Sequence, residues 1–464
     1  MGVRYKVIDR DTPLLLPPSL HDWLAKDHLV HVIMGAVEEL DLGPALANAR
    51  GSGDAQYPPG MLLALLIYSY ATGTFSSRKI ERASYDHVPT RYLCGDTHPD
   101  HDTICAFRVR NEALFKRAFA QVIELAALTG MLKIGGITVA IDGTKILANA
   151  SKHSAVSYGY AGEKMQALDL EIDALMKKAA QADATPLDDG LTIPEELQRR
   201  VQLKAKLAAA RVEMEARARV RVEEQREDYE AKVAVRAAKR AAGKKPRGPE
   251  PQPPDGTPGT KDQVNFTDEE SRIMKAGTGQ HFEQAYNAQA AVEIESRLIV
   301  GAPVVNAPND KEQLVPTFAA IVAEAGPVAE VLIDSGFVSE KAVRHLEETA
   351  EGGPTGVRVL AAVKREAHGR TVVQLEKRAD PPAPPVEAPF LEKLAHRVAT
   401  KAGRLRYKQR QQTVEPVIGI IKGAMGFRRF SLRGEIKVNL EWTLVTLAYN
   451  LKRLWTMGAR FSHA

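Results

Sequence analysis

Gly136-Ile-Thr-Val-Ala-Ile-Asp-Gly-Thr-Lys145 is apolar at consecutive positions rather than alternating ones. Such a run suits a strand buried on both faces, as the central strand of a mixed sheet would be. Asp142 stands inside it, where an ionised side chain is costly unless something charged compensates it. Upstream the period is helical. Asp22 to Leu40 carries Trp23, Leu24, Leu29, Val32, Ile33, Val37 and Leu40 close to a 3.6 period. Pro58 and Pro59 open a second helix, Met61 to Ala71, which Gly73 stops; Ser76 or Ser77 caps a third. Asp102 caps a fourth, expected to run through Phe107, Leu114, Phe115, Phe119, Val122, Ile123 and Leu128 to Gly130. The first 130 residues therefore read as helical.

Downstream of the strand, residues 162–242 are rich in Ala, Glu, Lys and Arg with a turn near Thr185 to Pro194, which predicts a helical hairpin. Residues 243–262 read as a mobile Pro/Gly-rich linker. Strand character returns at His281 to Glu293 and Leu298 to Val305, divided by Glu295-Ser-Arg297 as in a β-hairpin. A helix from Lys311 to Ala325, a strand from Ala329 to Asp334, a helix from Ser339 to Ala350 and a strand from Val357 to Lys364 follow. After a Pro-rich stretch, Asp380 to Pro389, the chain reads as helical and basic to its end. This order predicts an α/β layer fold with one large insertion.

The 464 residues suffice for two to four domains, and 44% hydrophobic against 26% charged residues leaves ample material for a core. The longest apolar stretch, Met61 to Ala71, is too short to span a bilayer, and the opening residues show no apolar signal region. No membrane partner and a cytoplasmic location are expected. Two cysteines, Cys94 and Cys105, exclude a disulfide framework and a Cys-rich zinc domain. The net charge of +5 names no partner, but its distribution is informative. Residues 393–433 hold eleven Lys/Arg and one acid, Glu415. That local field suits a polyphosphate backbone; a solvated basic helix is the plainer reading. Glu415 either pairs with Lys408 or Arg410, or is a metal ligand facing bound phosphate. Lys422 lies two helical turns on and shares its face, with Val414, Val417, Ile418 and Ile421 as the buried flank. Asp334 ends the strand Val331-Leu-Ile-Asp, at the kind of strand end where α/β sites form. Each aspartate alone also reads as a turn or cap. Together, two strand aspartates and a helix glutamate match the needs of two Mg²⁺ ions, which prefer oxygen ligands and stabilise in-line phosphoryl displacement.

With these acids in view, the sequence resembles the DDE transposases of bacterial insertion sequences over nearly its whole length. The stretches that carry the resemblance are Pro17-Pro-Ser-Leu-His-Asp-Trp-Leu, Tyr57-Pro-Pro-Gly-Met-Leu-Leu-Ala-Leu-Leu-Ile-Tyr-Ser-Tyr-Ala-Thr-Gly, Ser76-Ser-Arg-Lys-Ile-Glu-Arg, Pro99-Asp-His-Asp-Thr-Ile, Ile141-Asp-Gly-Thr-Lys, Asn265-Phe-Thr-Asp-Glu-Glu-Ser-Arg-Ile-Met-Lys and Tyr286-Asn-Ala-Gln-Ala-Ala-Val. The family's Tyr-Arg-Glu-Lys signature maps onto Tyr407, Arg410, Glu415 and Lys422. Four residues separate Arg410 from Glu415 where the signature usually has three, and Asp334-Ser-Gly-Phe stands for the commoner Asp-Ala-Gly-Tyr.

The resemblance implies an RNase H-like mixed five-stranded sheet flanked by helices, with an N-terminal all-α domain and a long helical insertion after the first strand. It divides the chain into a helical DNA-end-binding domain (1–130), a catalytic domain (131–160 and 263–433), the hairpin insertion and linker (161–262) and a C-terminal helix packing on the core (434–464). It makes Asp142, Asp334 and Glu415 the catalytic triad and the ligands of Mg²⁺, with Mn²⁺ as a substitute. Lys422, Tyr407 and Arg410 would position the DNA strand. The implied activity is cleavage at the element's ends and strand transfer into target DNA, by a homodimer on DNA. An RNase H-like nuclease without strand transfer and a non-catalytic DNA-binding protein derived from a transposase are the alternatives.

Other DNA contacts are expected at Arg428 and Arg429, and at Arg78, Lys79 and Arg82 on one exposed side of a helix-turn-helix-like segment, where a purely structural helix pair is the other reading. His98-Pro-Asp-His-Asp102 reads as a turn and cap, with a phosphate contact by His101 as the alternative. The hairpin of 162–242 reads as an interaction surface for DNA or a second protomer. Trp442, Tyr449 and Trp455 read as a packed helix face, and both cysteines as inert thiols.

Overall fold

The computed structural model describes residues 19–46, 56–133, 135–182, 193–243, 245–246, 248–275, 281–363 and 379–461. Ile134, the turn expected near Thr185 and the strand end expected at Lys364 lie outside them. The apolar run forms β1, Ile137–Leu147, and it is the central strand. The strands β2 (Ala155–Ser157) and β3 (Gln263–Asn265) stand apart as a two-stranded ribbon. β4 (Arg272–Lys275) and β5 (Phe282–Glu293) follow, and β5 pairs antiparallel with β1, placing Asp142 opposite Ala290 and Gly143 opposite Gln289. The outer edge of β5 is shared by β4, β6 (Ile299–Gly301) and β7 (Val304–Val305). On the other side β8 (Val328–Ile333) runs parallel to β1, and β9 (Arg358–Ala361) parallel to β8. The result is a mixed sheet five strand positions wide, as expected.

The strand expected from Leu298 to Val305 is two short ones, because Pro303 has no N–H to give the ladder; its carbonyl instead accepts from Gln289 N at 2.8 Å. The helix expected from Lys311 to Ala325 is likewise broken. α9 spans Leu314–Ala319 and a 3₁₀ turn spans Ala323–Ala325. Between them Val322 N bonds to Val300 O at 2.9 Å, and a β-carbon at Gly301 would stand 3.0 Å from Ile321 N. The chain leaves the helix to lie on the sheet edge.

The insertion departs just after β1. α7 (Tyr158–Ala182) and α8 (Ile193–Ala241) form the expected hairpin, and the β2–β3 ribbon closes its base. A small core of its own, Val156, Ala161, Leu168, Leu207, Ala210, Met214 and Val264, holds that base together. α8 is roughly 70 Å long at 1.5 Å per residue. The linker does not stand free of it: Arg236 donates to Gly248 O at 3.0 Å and Arg221 meets Asp262 at 2.6 Å.

In the N-terminal region the helix expected from Asp22 to Leu40 is a 3₁₀ turn, Leu20–Trp23, and then α1, Leu29–Glu38, started by His28, whose ring accepts from Val30 N. α2 (Pro59–Ala71) is buried on every side from Leu62 to Ala71, as an all-round apolar helix must be. α3 (Ser77–Asp86) and α4 (Val88–Leu93) follow. The single helix expected after Asp102 is two, α5 (His101–Arg110) and α6 (Glu112–Leu128). Asn111 interrupts them, since its amide donates to Phe107 O and accepts from Leu46 N. The cap of α5 is Asp100, which accepts from Thr103 N at 2.8 Å; Asp102 is an exposed first-turn residue.

After α10 (Glu340–Glu347) and β9, the C-terminal part holds α11 (Phe390–Ala399), α12 (Lys401–Gly419) and α13 (Glu435–Thr456). It is not helical throughout. α12 widens into a π turn at Ile420–Ala424, and an extended loop then returns to the end of β1, where Phe430 N bonds to Leu147 O at 2.9 Å. α13 packs on α2 and α6 as well as on the strands, so one apolar core is continuous from Leu29 to Ala459. Trp442 and Tyr449 are buried in it, and Trp455 donates to Asp27 O, so this aromatic face is a packed one.

A buried charge sits at that junction. Glu441 of α13 is fully buried and accepts from Tyr70 Oη of α2 at 3.0 Å and from the backbone N–H groups of Ser431 and Leu432 at 2.8 and 2.9 Å. Arg108 of α5 donates to Tyr70 Oη at 2.9 Å and to Phe75 O at 3.0 Å.

Candidate active site

Alternate residues of β1 face opposite sides of the sheet. Thr138 and Asp142 face α12: Arg406 reaches Thr138 Oγ1 at 2.6 Å, and Arg410 reaches Asp142 Oδ2 at 3.0 Å. Asp334 follows the last residue of β8. Its carboxylate accepts from Gly336 N at 2.7 Å, which curls the loop away and leaves Oδ2 pointing back to the site. Glu415 lies on α12, five residues after Arg410.

These three acids, from a strand, a strand end and a helix, meet around one side chain. The guanidinium of Arg410 lies 3.0 Å from Asp142 Oδ2, 3.9 Å from Asp334 Oδ2 and 3.9 Å from Glu415 Oε1. The Arg410 side chain is 7% exposed, against 20% for Asp142, 42% for Asp334 and 55% for Glu415, so the site opens outward from a buried cation. Among the described residues no three His, Cys, Asp or Glu side chains form a ready-made cage for a metal; here the guanidinium stands between the acids.

Burial pushes the Asp142 carboxyl up to about 6, with Asp334 and Asp310 adding to the rise against the pull of Arg410. Because the folded-state pKa lies above the unfolded one, Asp142 contributes stability that is present below pH 4 and lost as pH rises through 6. The expected size is about 3 kcal/mol at 1.36 kcal/mol per unit. Denaturant titrations of the cation-free protein between pH 4 and 7 should show this share of the pH dependence, and Asp142→Asn should remove it.

The other face of β1 carries a second polar cluster. Asp310, in the loop after β7, accepts from Asn287 Nδ2 at 2.7 Å and Gln289 Nε2 at 3.0 Å, and Lys145 Nζ lies 3.8 Å from the same oxygen. Asn287 and Gln289 are fully buried. A β-carbon at Gly143 would stand 2.4 Å from Asp310 Oδ1 and 2.6 Å from Gln289 Nε2, so only glycine admits this cluster beside Asp142. Gly143→Ala should destabilise the fold by about 1–3 kcal/mol in denaturant unfolding. Gly423→Ala, which meets open space, is the control. Asp310 was not singled out in the sequence. A glycine inside an apolar strand is the signal of a close approach that points to it.

The other sequence-predicted residues are more dispersed. Tyr407 Oη donates to Ile333 O at 3.0 Å, tying α12 to the end of β8 just before Asp334. Lys422, in the π turn, donates to Lys145 O at 2.9 Å; burial lowers its ammonium pKa, with Arg428 and Lys145 adding to the effect. Arg428 and Arg429 are exposed on the returning loop, and Arg429 and Arg433 line an open cavity of about 400 Å³ with Lys152 and His153. Arg78, Lys79 and Arg82 are exposed on α3, while Ile80 and Ser84 face inward. Of the basic window, Arg397 pairs with Glu347 and Arg406 with Glu330, so part of its charge is spent inside the fold. His101 pairs with Glu81 at 2.8 Å, and His98 stacks on Tyr85. Cys94 is buried, which pushes its thiol pKa up to about 12, and Cys105 is half-buried.

Residues 386–455, which include α12 and Glu415, match a family described as "Transposase DDE domain". Residues 18–110 match "Transposase domain (DUF772)". No curated protein and no solved structure matches the chain. Asp142 and Asp334 lie outside both matched segments, and it is the fold that brings them to Glu415. No helix among the described residues is long and apolar enough to cross a membrane. The two matched segments meet in the Glu441 network, so the fold joins a segment similar to an N-terminal transposase domain to one similar to a transposase DDE domain.

Proposed function

We propose that this protein cuts DNA at the ends of its own element and joins the freed 3′-hydroxyl to target DNA, with Asp142, Asp334 and Glu415 as the catalytic and metal-binding acids. The observation that supports this reading is the meeting of these three carboxylates, from three separate elements, around one positive group. An all-oxygen donor set gathered about a cation suits Mg²⁺, or Mn²⁺ in its place. When bound, such ions supply an activated oxygen nucleophile and stabilise the leaving oxygen.

The chain's own residues do the rest. β1 and β8 fix Asp142 and Asp334 on adjacent parallel strands, and Tyr407 holds the end of β8 against α12. Lys422 lies beside β1 with its ammonium tied to the Lys145 carbonyl, and in this reading it would contact the DNA backbone next to the acids. Arg428 and Arg429 extend the positive surface along the loop, and Arg78, Lys79 and Arg82 offer a second exposed basic face on α3. These assignments make double-stranded DNA the partner, at the terminal inverted repeats and at the target. Two ends must be brought together, which favours a homodimer on DNA.

The test is incubation with Mg²⁺ and a DNA carrying the element's terminal repeat, followed by a joining assay with a pre-cut end. Cleavage together with joining supports the reading. Cleavage without joining would make the protein a nuclease, and neither would leave a DNA-binding derivative. Affinity for the repeat should fall steeply with salt. Reversing the charge of Arg428 and Arg429 should reduce the slope of log K against log salt by about 1 for every phosphate the protein no longer neutralises.

A further inference from the structure

We propose that Arg410 is an internal stand-in for the catalytic cations. Its guanidinium gathers the three acids while no divalent ion is bound, and it must release Asp142 Oδ2 when one enters. This rests on the reading of Asp142, Asp334 and Glu415 as metal ligands.

The geometry is that of a cation site already filled from within. Two strand acids and one helix acid would repel one another if brought together bare. Arg410 supplies a positive charge on the side facing the core, and one terminal nitrogen serves both Asp142 and Asp334 while the other faces Glu415. A planar guanidinium can address several carboxylates in this way, whereas a lysine ammonium is a point charge. The guanidinium is anchored only at its tip: Nε is buried and has no hydrogen-bond partner among the described residues. The group is therefore held by the acids themselves and not by a scaffold of its own. Once a divalent ion takes those oxygens, no other hydrogen bond or ion pair among the described residues holds the guanidinium. The acids are more exposed than Arg410, so an entering ion approaches from the solvent side and presses on it from outside.

A stand-in behaves differently from an arginine that simply orients the acids as ligands. An orienting residue helps metal binding, so its loss weakens affinity. A stand-in competes with the metal, so its loss strengthens affinity.

The experiment is a Mn²⁺ titration of the full-length, DNA-free protein, with free Mn²⁺ read by electron paramagnetic resonance, for wild type, Arg410→Ala, Arg410→Lys and Asp142→Asn. Arg410→Ala is expected to bind Mn²⁺ about tenfold more tightly than wild type. Without metal it should melt at a lower temperature than wild type, and saturating Mn²⁺ should raise its melting temperature by more. Arg410→Lys should fall between the two, and it carries the test if the alanine variant does not fold. Equal or weaker Mn²⁺ binding by the Arg410 variants overturns the proposal. If wild type binds Mn²⁺ in a manner lost in Asp142→Asn, that result leaves the metal-binding triad standing and removes only the stand-in role. If no variant binds Mn²⁺ and Asp142→Asn behaves as wild type, the triad reading fails and the stand-in role falls with it.

Discussion

Asp142→Asn is expected to lower strand cleavage at the element's end by about 10³-fold or more while leaving binding of that end within about twofold. The amide keeps the size and shape of the carboxyl and can still meet Arg410, so the fold has no reason to change. What is lost, on the proposed reading, is the charge that would hold a divalent ion beside the scissile phosphate. Asp142 is the most enclosed of the three acids and the nearest to the guanidinium, so its loss should be the most severe of the three. Asp334→Asn and Glu415→Gln should follow in the same direction. The measurement is a single-turnover cleavage assay on a labelled terminal repeat, run beside an electrophoretic binding assay with the same DNA. Cleavage by Asp142→Asn at the wild-type rate would remove Asp142 from the chemistry, and binding lost in parallel with cleavage would assign it to DNA recognition or folding instead.

The second large effect is expected far from the acids. Glu441→Ala should destabilise the protein by about 3–5 kcal/mol, the range for removing one partner from a buried charged network. The substitution strips Tyr70 Oη and the N–H groups of Ser431 and Leu432 of their acceptor, and it leaves the guanidinium of Arg108, itself buried, without the carboxylate that balances it through Tyr70. Glu441→Gln keeps one acceptor oxygen and should cost less. Denaturant unfolding monitored by the fluorescence of Trp442 and Trp455, which lie on the same helix, would measure both. A loss under about 1 kcal/mol in the alanine variant would show that the network is not balanced through Glu441.

How much of this was legible beforehand depends on whether the signal was local. β1 was legible because Val139, Ala140 and Ile141 are apolar without alternation, and a strand covered on both faces needs that pattern. Asp142 and Asp334 stood out because each is an acid within or at the end of such a strand, and Glu415 because it is the lone acid among eleven bases. The long hairpin was plain from its composition. Helix interruptions were not legible where the cause is a partner elsewhere in the chain. Asn111 ends α5 because its side chain also serves Leu46 N, and α9 stops because Val322 is drawn to Val300. The place of Arg410 was obscured by its spacing. Five residues on a helix do not put Arg410 and Glu415 on one face, and it is the length of the arginine side chain that lets it reach all three acids. Glu441 carries no sequence signature, since its partners lie in other elements, and Asp310 is signalled only indirectly, by the glycine inside β1 that makes room for it.

The Glu441 network also fixes an order in time. α2 ends at Ala71, whereas the helix that completes its surroundings begins only at Glu435. At 5–20 residues per second of synthesis, the N-terminal helices wait roughly 20 to 70 s, with the Tyr70–Arg108 pair lacking the Glu441 carboxylate and the apolar surface of α2 uncovered, before the last helix emerges. The nascent chain is therefore expected to be a chaperone client for most of its synthesis. A ribosome stalled anywhere before α13 would carry an N-terminal region that has not yet closed its core.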